Sequence, residues 1–224
     1  MDIKNNIQKL QTELESKGCI LVAVSKTHPP ELILEAYTSG HKVFGENKVQ
    51  ELVSKYEALP KDIEWHLIGH LQRNKVKYIA PFVTLIHAID SVKLLEEVNK
   101  QGAKINRVIH CLLQVHIAQE ETKFGFDPAE VLKIIRTGGI GSMPYVKIKG
   151  LMAMATLTDK TDIIASEFKS VQELITTLRK EKLPTNVEMK ELSIGMSSDY
   201  KIALDYGSTM VRVGTAIFGE RKYD

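Results

Sequence analysis

The sequence predicts an α/β protein folded as a single (β/α)8 barrel over residues 1–224, with one extra helix at the N-terminus. Three observations carry this expectation. Eight short apolar runs alternate with amphipathic stretches along the chain, which is the pattern of parallel strands joined by helical crossovers. Most of these runs are apolar throughout and do not alternate with polar residues, as befits strands covered on both faces. The other common parallel architecture, a doubly wound open sheet, would want a glycine-rich turn after an early strand, and no G-x-G-x-x-G occurs.

Each element has its own local reason. Ile3, Ile7, Leu10 and Leu14 fall at helical spacing, so residues 2–17 form the added helix, closed near Gly18. Residues 20–24 are the first strand, and Ser25 and Lys26 end it. Thr27-His28-Pro29-Pro30 stops the strand because proline has no N–H to give a ladder. Pro30 then opens a helix that turns Leu32, Ile33 and Ala36 inward and ends at Gly40. Residues 43–46 are the second strand, with Asn47 beginning the next helix. Residues 65–69 are the third, followed by a short basic helix over 72–78. Residues 85–89 are the fourth, and Asp90 or Ser91 caps a helix over 92–101. Residues 108–115 are the fifth, and Asp127-Pro128 starts a helix stopped by Gly138-Gly139. Residues 148–154 are the sixth, before a long helix with Ile164, Phe168, Val171, Ile175 and Leu178 on one stripe. Residues 191–195 are the seventh, residues 199–206 form a short helix capped by Ser197 or Ser198, and residues 210–213 are the eighth.

Composition narrows the class. A chain that is 43% hydrophobic and 26% charged is ordinary for a globular domain with a substantial core. Thirty Lys and Arg against 28 Asp and Glu give a formal charge of +2, no reason to invoke nucleic acid or an anionic membrane. Cys19 and Cys111 form no C-x-x-C pair, which argues against a disulfide framework or a zinc site. The first residues lack an apolar signal core, and no run approaches the roughly 20 apolar residues that cross a bilayer. The expected compartment is the reducing cytoplasm.

In parallel barrels, ligands bind at the carboxyl ends of the strands. Lys26 stands at such an end. Partly desolvated there, a lysine has a lowered pKa and becomes a nucleophilic amine, suited to a Schiff base with an aldehyde or ketone. Barrels also often hold a phosphate with the loops after strands seven and eight. Ser197 and Ser198 supply hydroxyls and N–H groups before a helix, and Gly214-Thr215 lets backbone approach from the neighbouring strand. Arg212 alternates with Val211 and Val213 and so faces the barrel interior. It needs a partner there, either an internal ion pair or a ligand anion or ring nitrogen to which it donates. Asn47, His66, Gly69, Met154 and Thr156 fall at other strand ends. The histidines show no metal-ligand spacing, and Arg73, Lys75 and Lys77 make a basic helix face.

Six stretches together resemble a known family: Ala23-Val24-Ser25-Lys26, Phe44-Gly45-Glu46-Asn47, residues 66–75 (His66-Leu67-Ile68-Gly69 onward), Gly150-Leu151-Met152, residues 193–199 around Ser197-Ser198, and residues 211–219 around Arg212 and Gly214-Thr215. In this order the chain resembles the pyridoxal phosphate homeostasis proteins, the YggS or PROSC-like family, across nearly its whole length. The resemblance implies a barrel like the N-terminal domain of alanine racemase, with pyridoxal 5′-phosphate as cofactor. It implies a Schiff base on Lys26, the phosphate near Ser197, Ser198, Gly214 and Thr215, Arg212 against the pyridine nitrogen, and Asn47 beside the ring. One departure stands in Thr122-Lys123-Phe124-Gly125-Phe126, where Phe124 replaces the small residue expected in K-x-G-F. It bears on the loop after strand five and not on the cofactor.

The expected function is therefore binding, with buffering or delivery of pyridoxal phosphate to the apoenzymes that need it, and without efficient catalysis. The alternative is a fold-type III amino-acid racemase. A racemase needs a proton donor on each face of the carbanion, and alanine racemase takes its second base from another domain across a dimer. This chain ends at Asp224, soon after strand eight, so the expectation is a monomer open on one face. An arginine against the ring nitrogen also weakens the electron sink. A phosphate-sugar isomerase or aldolase using Lys26 on substrate is a third reading.

Overall fold

The structure, a computed structural model, describes residues 2–118, 124–137 and 139–220. Eight parallel strands close into a barrel in sequence order: β1 (Ile20–Val24), β2 (Val43–Glu46), β3 (Glu64–Leu67), β4 (Leu85–Ile89), β5 (Ile109–His116), β6 (Val146–Met154), β7 (Val187–Met196) and β8 (Met210–Val213). β8 pairs back onto β1, with Val22 opposite Arg212. The helices are α1 (Ile3–Glu15), α2 (Pro30–Thr38), α3 (Val49–Ala58), α4 (Val76–Ile79), α5 (Val92–Lys104), α6 (Pro128–Arg136), α7 (Thr161–Leu178), α8 (Tyr200–Asp205) and α9 (Thr215–Phe218).

Two apolar layers follow from strand alternation. Val22, Val24, Ile68, Leu85, Ala88, Leu112, Met152 and Met210 fill the barrel interior. Residues of opposite parity, such as Leu21, Ala23, Phe44, Trp65 and Val211, meet the helices in the larger outer core. α1 adds Ile3, Ile7, Leu10 and Leu14, the four residues whose spacing predicts the helix. It braces the end of the barrel wall, since the Asn6 side-chain amide donates to the Ile217 carbonyl at 3.2 Å.

The eight strands fall where the sequence places them, but several boundaries differ for physical reasons. β6 and β7 begin two and four residues earlier than expected, because Val146-Lys147-Ile148-Lys149 and Val187-Glu188-Met189-Lys190 alternate apolar with half-buried or exposed polar residues and read as loop. Lys147 and Lys149 both pair with Glu188 there. The basic helix over 72–78 is a 3-10 turn at Arg73–Lys75 running into α4. α3 starts at Val49 with Lys48 at its cap, so Asn47 belongs to the strand end and not the helix. Gly138, the expected stop of α6, lies outside the described residues, as do Thr122 and Lys123.

Candidate cofactor site

At the carboxyl end of the barrel, the β1 turn carries Lys26, which is half-buried. The turn is fixed from below. Ser25 is buried, its N–H donates to the Gly45 carbonyl at 3.0 Å, and its hydroxyl donates to Glu46 at 2.6 Å. Lys55 of α3 donates to the Ser25 carbonyl at 2.8 Å, and Glu51 accepts from the Thr27 N–H at 2.6 Å. Thr27 has φ of +66°, a left-handed conformation that is an outlier for a β-branched residue. Neither Lys55 nor Glu51 is signalled by the sequence alone, because their contact with residues 25–27 exists only once β1 and β2 lie side by side.

Asn47 follows β2 and sits beside the end of β3. A Cβ on Gly69 would lie 2.5 Å from the Asn47 carbonyl oxygen, so only glycine admits this approach. On the other side of Lys26, Gly214 packs on β1, where an added Cβ would lie 3.0 Å from the Val24 carbonyl. The Gly214 N–H donates to the Ser197 hydroxyl at 3.2 Å. Ser198 and Thr215 are exposed in the turns that follow β7 and β8. The structure thus gathers Lys26, Asn47, Ser197, Ser198, Gly214 and Thr215 at one pole. Thr156, a further strand-end candidate, is committed elsewhere: its N–H and hydroxyl both donate to Glu167 of α7 at 2.7 Å.

The serines do not cap α8. Asp199 occupies the cap position, and its carboxylate turns back to accept from the Met196 N–H at 2.5 Å. Three polar residues in a row offer the same capping chemistry, and the choice depends on β7 continuing to Met196. The result frees both serine hydroxyls from the helix and leaves them toward Gly214 and solvent. Gly195 makes the turn possible, with φ of +93° and only 2.7 Å from a Cβ placed there to that of Ala203.

Arg212 on β8 is buried and faces the interior, as its alternation predicts. It donates to the Ser193 carbonyl at 2.7 Å, the Ser193 hydroxyl at 2.5 Å and the Ala153 carbonyl at 2.9 Å. Burial lowers its pKa to about 10, and the charge of nearby Asp199 opposes that fall. It remains a cation at neutral pH. Of the two partners left open by the sequence, no carboxylate lies within ion-pair distance among the described residues. Behind Ser193, His87 lies 3.0 Å from its hydroxyl and 3.0 Å from His66. Burial holds both imidazoles far below the usual range, His66 at about 3. Among the described residues no cluster could hold a metal ion.

The rim is partly apolar. Phe124, Met154 and Leu157 are exposed, Leu157 by 86%. Phe124, the departure from the expected small residue, lays its ring on His70 at 4.7 Å. Gly125 keeps the loop close to β5, since a Cβ there would lie 2.9 Å from the Gln114 carbonyl.

Comparison with known proteins accords with this geometry. The family model described as alanine racemase, N-terminal domain, matches residues 1–222. The pyridoxal phosphate homeostasis protein of Aquifex aeolicus is 43% identical over 97% of this chain and 96% of its own length. The structure of PipY from Synechococcus elongatus with pyridoxal phosphate bound is 33% identical and superposes with a TM-score of 0.86, covering 97% of this chain and all of that one. An alanine racemase from E. faecalis, at 19% identity and a TM-score of 0.75, shares the fold over 98% of this chain and 58% of its own. The chain belongs to the family of pyridoxal phosphate homeostasis proteins, built on the barrel of the alanine racemase N-terminal domain.

Proposed function

We propose that this protein binds pyridoxal 5′-phosphate at the carboxyl pole of its barrel, holds it through a Schiff base on Lys26, and serves to buffer or deliver it without efficient turnover. The observation that carries the reading is the juxtaposition at that pole of a lysine and an anion cradle. The donor set fits the group. Ser197, Ser198 and Thr215 hydroxyls, with first-turn N–H groups of α8 and α9 that have no partner inside their helices, suit a phosphate dianion. Gly214 keeps that cradle against β1, and Asn47 stands on the opposite side of Lys26 to flank a ring. Pyridoxal phosphate, when bound, supplies an aldehyde for a lysine and an electron-withdrawing ring.

Arg212 supports binding over turnover. A guanidinium that stays charged at neutral pH can donate to a pyridine nitrogen but cannot leave it protonated, so the ring withdraws electrons poorly. The exposed rim at Phe124, Met154 and Leu157 leaves the pole approachable by the apoenzymes that would receive the cofactor. The relatives' name supports the same reading.

The test is borohydride reduction of the holo-protein followed by peptide mapping. The adduct is expected on the peptide containing Lys26, and Lys26→Ala is expected to lose the visible absorbance of the linkage while remaining folded. An adduct confined to another lysine refutes the assignment. The shared fold with alanine racemases keeps one rival. Incubation with single-enantiomer alanine or serine, followed by chiral chromatography, separates them: turnover near about 1 s⁻¹, abolished by Lys26→Ala, would establish a racemase.

A further inference from the structure

We propose that Lys55 is a positioning residue for Lys26: from α3 it fixes the backbone on both sides of the reactive lysine and so sets how readily the amine meets an aldehyde. The inference rests on the reading of Lys26 given above and adds a residue that the reading does not use.

Lys55 is buried, with 4% of its surface exposed, yet it is a lysine. Its ammonium has three protons and three acceptors: the Ser25 carbonyl at 2.8 Å, Glu46 at 2.7 Å and Glu51 at 2.7 Å. Each carboxylate in turn grips the Lys26 turn. Glu46 accepts from the Ser25 hydroxyl, and Glu51 accepts from the Thr27 N–H. Residues 25 and 27 are therefore both tied to one buried charge, and residue 26 lies between them. The remaining oxygen of Glu46 is buried without a hydrogen-bond partner among the described residues.

Stability alone is a poor reason for this arrangement. Buried ion pairs often contribute little beyond what an apolar residue of similar volume would. The clamp also holds Thr27 at φ of +66°, a conformation that a free threonine leaves readily. Strain retained by its surroundings next to a reactive group is what pre-organisation requires. The next residue continues the hold, since the His28 ring packs on Phe218 of α9 at 5.0 Å, behind Gly214 and Thr215.

Without the ammonium, two carboxylates face each other with no counter-charge and the Ser25 carbonyl loses its donor. The turn is then expected to relax at Thr27 and carry Lys26 away from its set position. Among the described residues, Lys55 donates to Ser25, Glu46 and Glu51, and the cradle after β7 and β8 is expected to persist.

The experiment compares two ligands on the full-length Lys55→Met protein: pyridoxal phosphate, and 4′-deoxypyridoxine 5′-phosphate, which keeps ring and phosphate but has no aldehyde. The analogue is expected to bind within about twofold of wild type. Pyridoxal phosphate is expected to bind on the order of tenfold more weakly, with a lower yield of borohydride-trapped Lys26, a cost in line with a small misplacement of a reacting group. Unchanged binding of both ligands, or equal weakening of both, overturns the proposal; the first makes Lys55 irrelevant and the second makes its role structural. Should Lys55→Met fail to fold, Glu51→Ala carries the same comparison, because that side chain is 23% exposed and its loss removes the acceptor of Thr27. The wild-type adduct tests the parent reading separately. A wild-type adduct on another lysine removes that reading whatever Lys55 does.

Discussion

Ser197 and Ser198 sit side by side but differ in commitment. The Ser197 hydroxyl accepts from the Gly214 N–H and so helps join the β7 and β8 turns, whereas Ser198 is exposed in the same turn. A hydrogen bond to a charged group is worth roughly 1.5–3 kcal/mol. Ser198→Ala is accordingly expected to weaken pyridoxal phosphate binding by about tenfold or more, while leaving thermal stability within about 0.5 kcal/mol of wild type. Fluorescence titration and thermal unfolding measure the two effects. Pyridoxal without its phosphate should bind much less tightly to wild type, and equal affinities for the two compounds would place the cradle elsewhere.

Among the elements, β6 and β7 depend on one glycine. A Cβ on Gly150 would lie 1.8 Å from the Glu191 carbonyl oxygen and 2.6 Å from its carbon, in a pair whose register shifts between Ile148 and Gly150. Backbone on both sides cannot yield cheaply. Gly150→Ala is expected to cost more than about 3 kcal/mol or to prevent folding, as followed by urea unfolding and soluble yield; a variant as stable as wild type would show that the two strands can part. This region also shows where sequence patterning stops. Buried strand centres, such as residues 20–24, 85–89 and 210–213, announce themselves because both faces are covered. The early turns of β6 and β7 are half polar and look like loop. Lys26, Arg212 and Gly214 are legible from position along a strand and from parity. Lys55, Glu51, and the Arg212–Ser193–His87 chain are not, because each contact joins elements far apart in sequence that only the closed barrel brings together.

For the whole molecule, the buried histidines dictate the response to acid. Burial holds His66 at about 3 and His87 well below its ordinary 6.5, with the charge of Arg212 adding to the effect on His87. Above pH 6.5 folded and unfolded chains are both neutral at these sites, and no stability depends on them. As pH falls from 6.5 toward 3, the unfolded chain takes up protons that the folded barrel refuses. Stability then falls, approaching roughly 1.4 kcal/mol per pH unit for His66 once the pH is well below 6.5, and His87 adds to the fall. Glu46 works in the opposite sense. Burial raises its carboxyl above the ordinary value despite Lys55, so the folded state accepts that proton first and recovers part of the loss before pH falls to the ordinary value of 4.5. The melting temperature is expected to drop steadily between pH 6.5 and 5, and His66→Leu to flatten that dependence. A profile flat across this range in wild type would show that the histidines are hydrated.

The pairing of β1 with both β2 and β8 has a consequence for biosynthesis. A ribosome delivers Lys26 and its clamp early, in the company of α3, but the other edge of β1 waits for Met210–Val213. The brace from Asn6 to Ile217 spans 211 residues and closes last of all. Until then the nascent chain shows an unpaired strand edge and apolar faces without their cover, which invites chaperone engagement. It also means that the amine exists long before the cradle. Until the turn after β8 has formed, the nascent chain can meet the free aldehyde only as an ordinary lysine would, and secure loading waits for that turn.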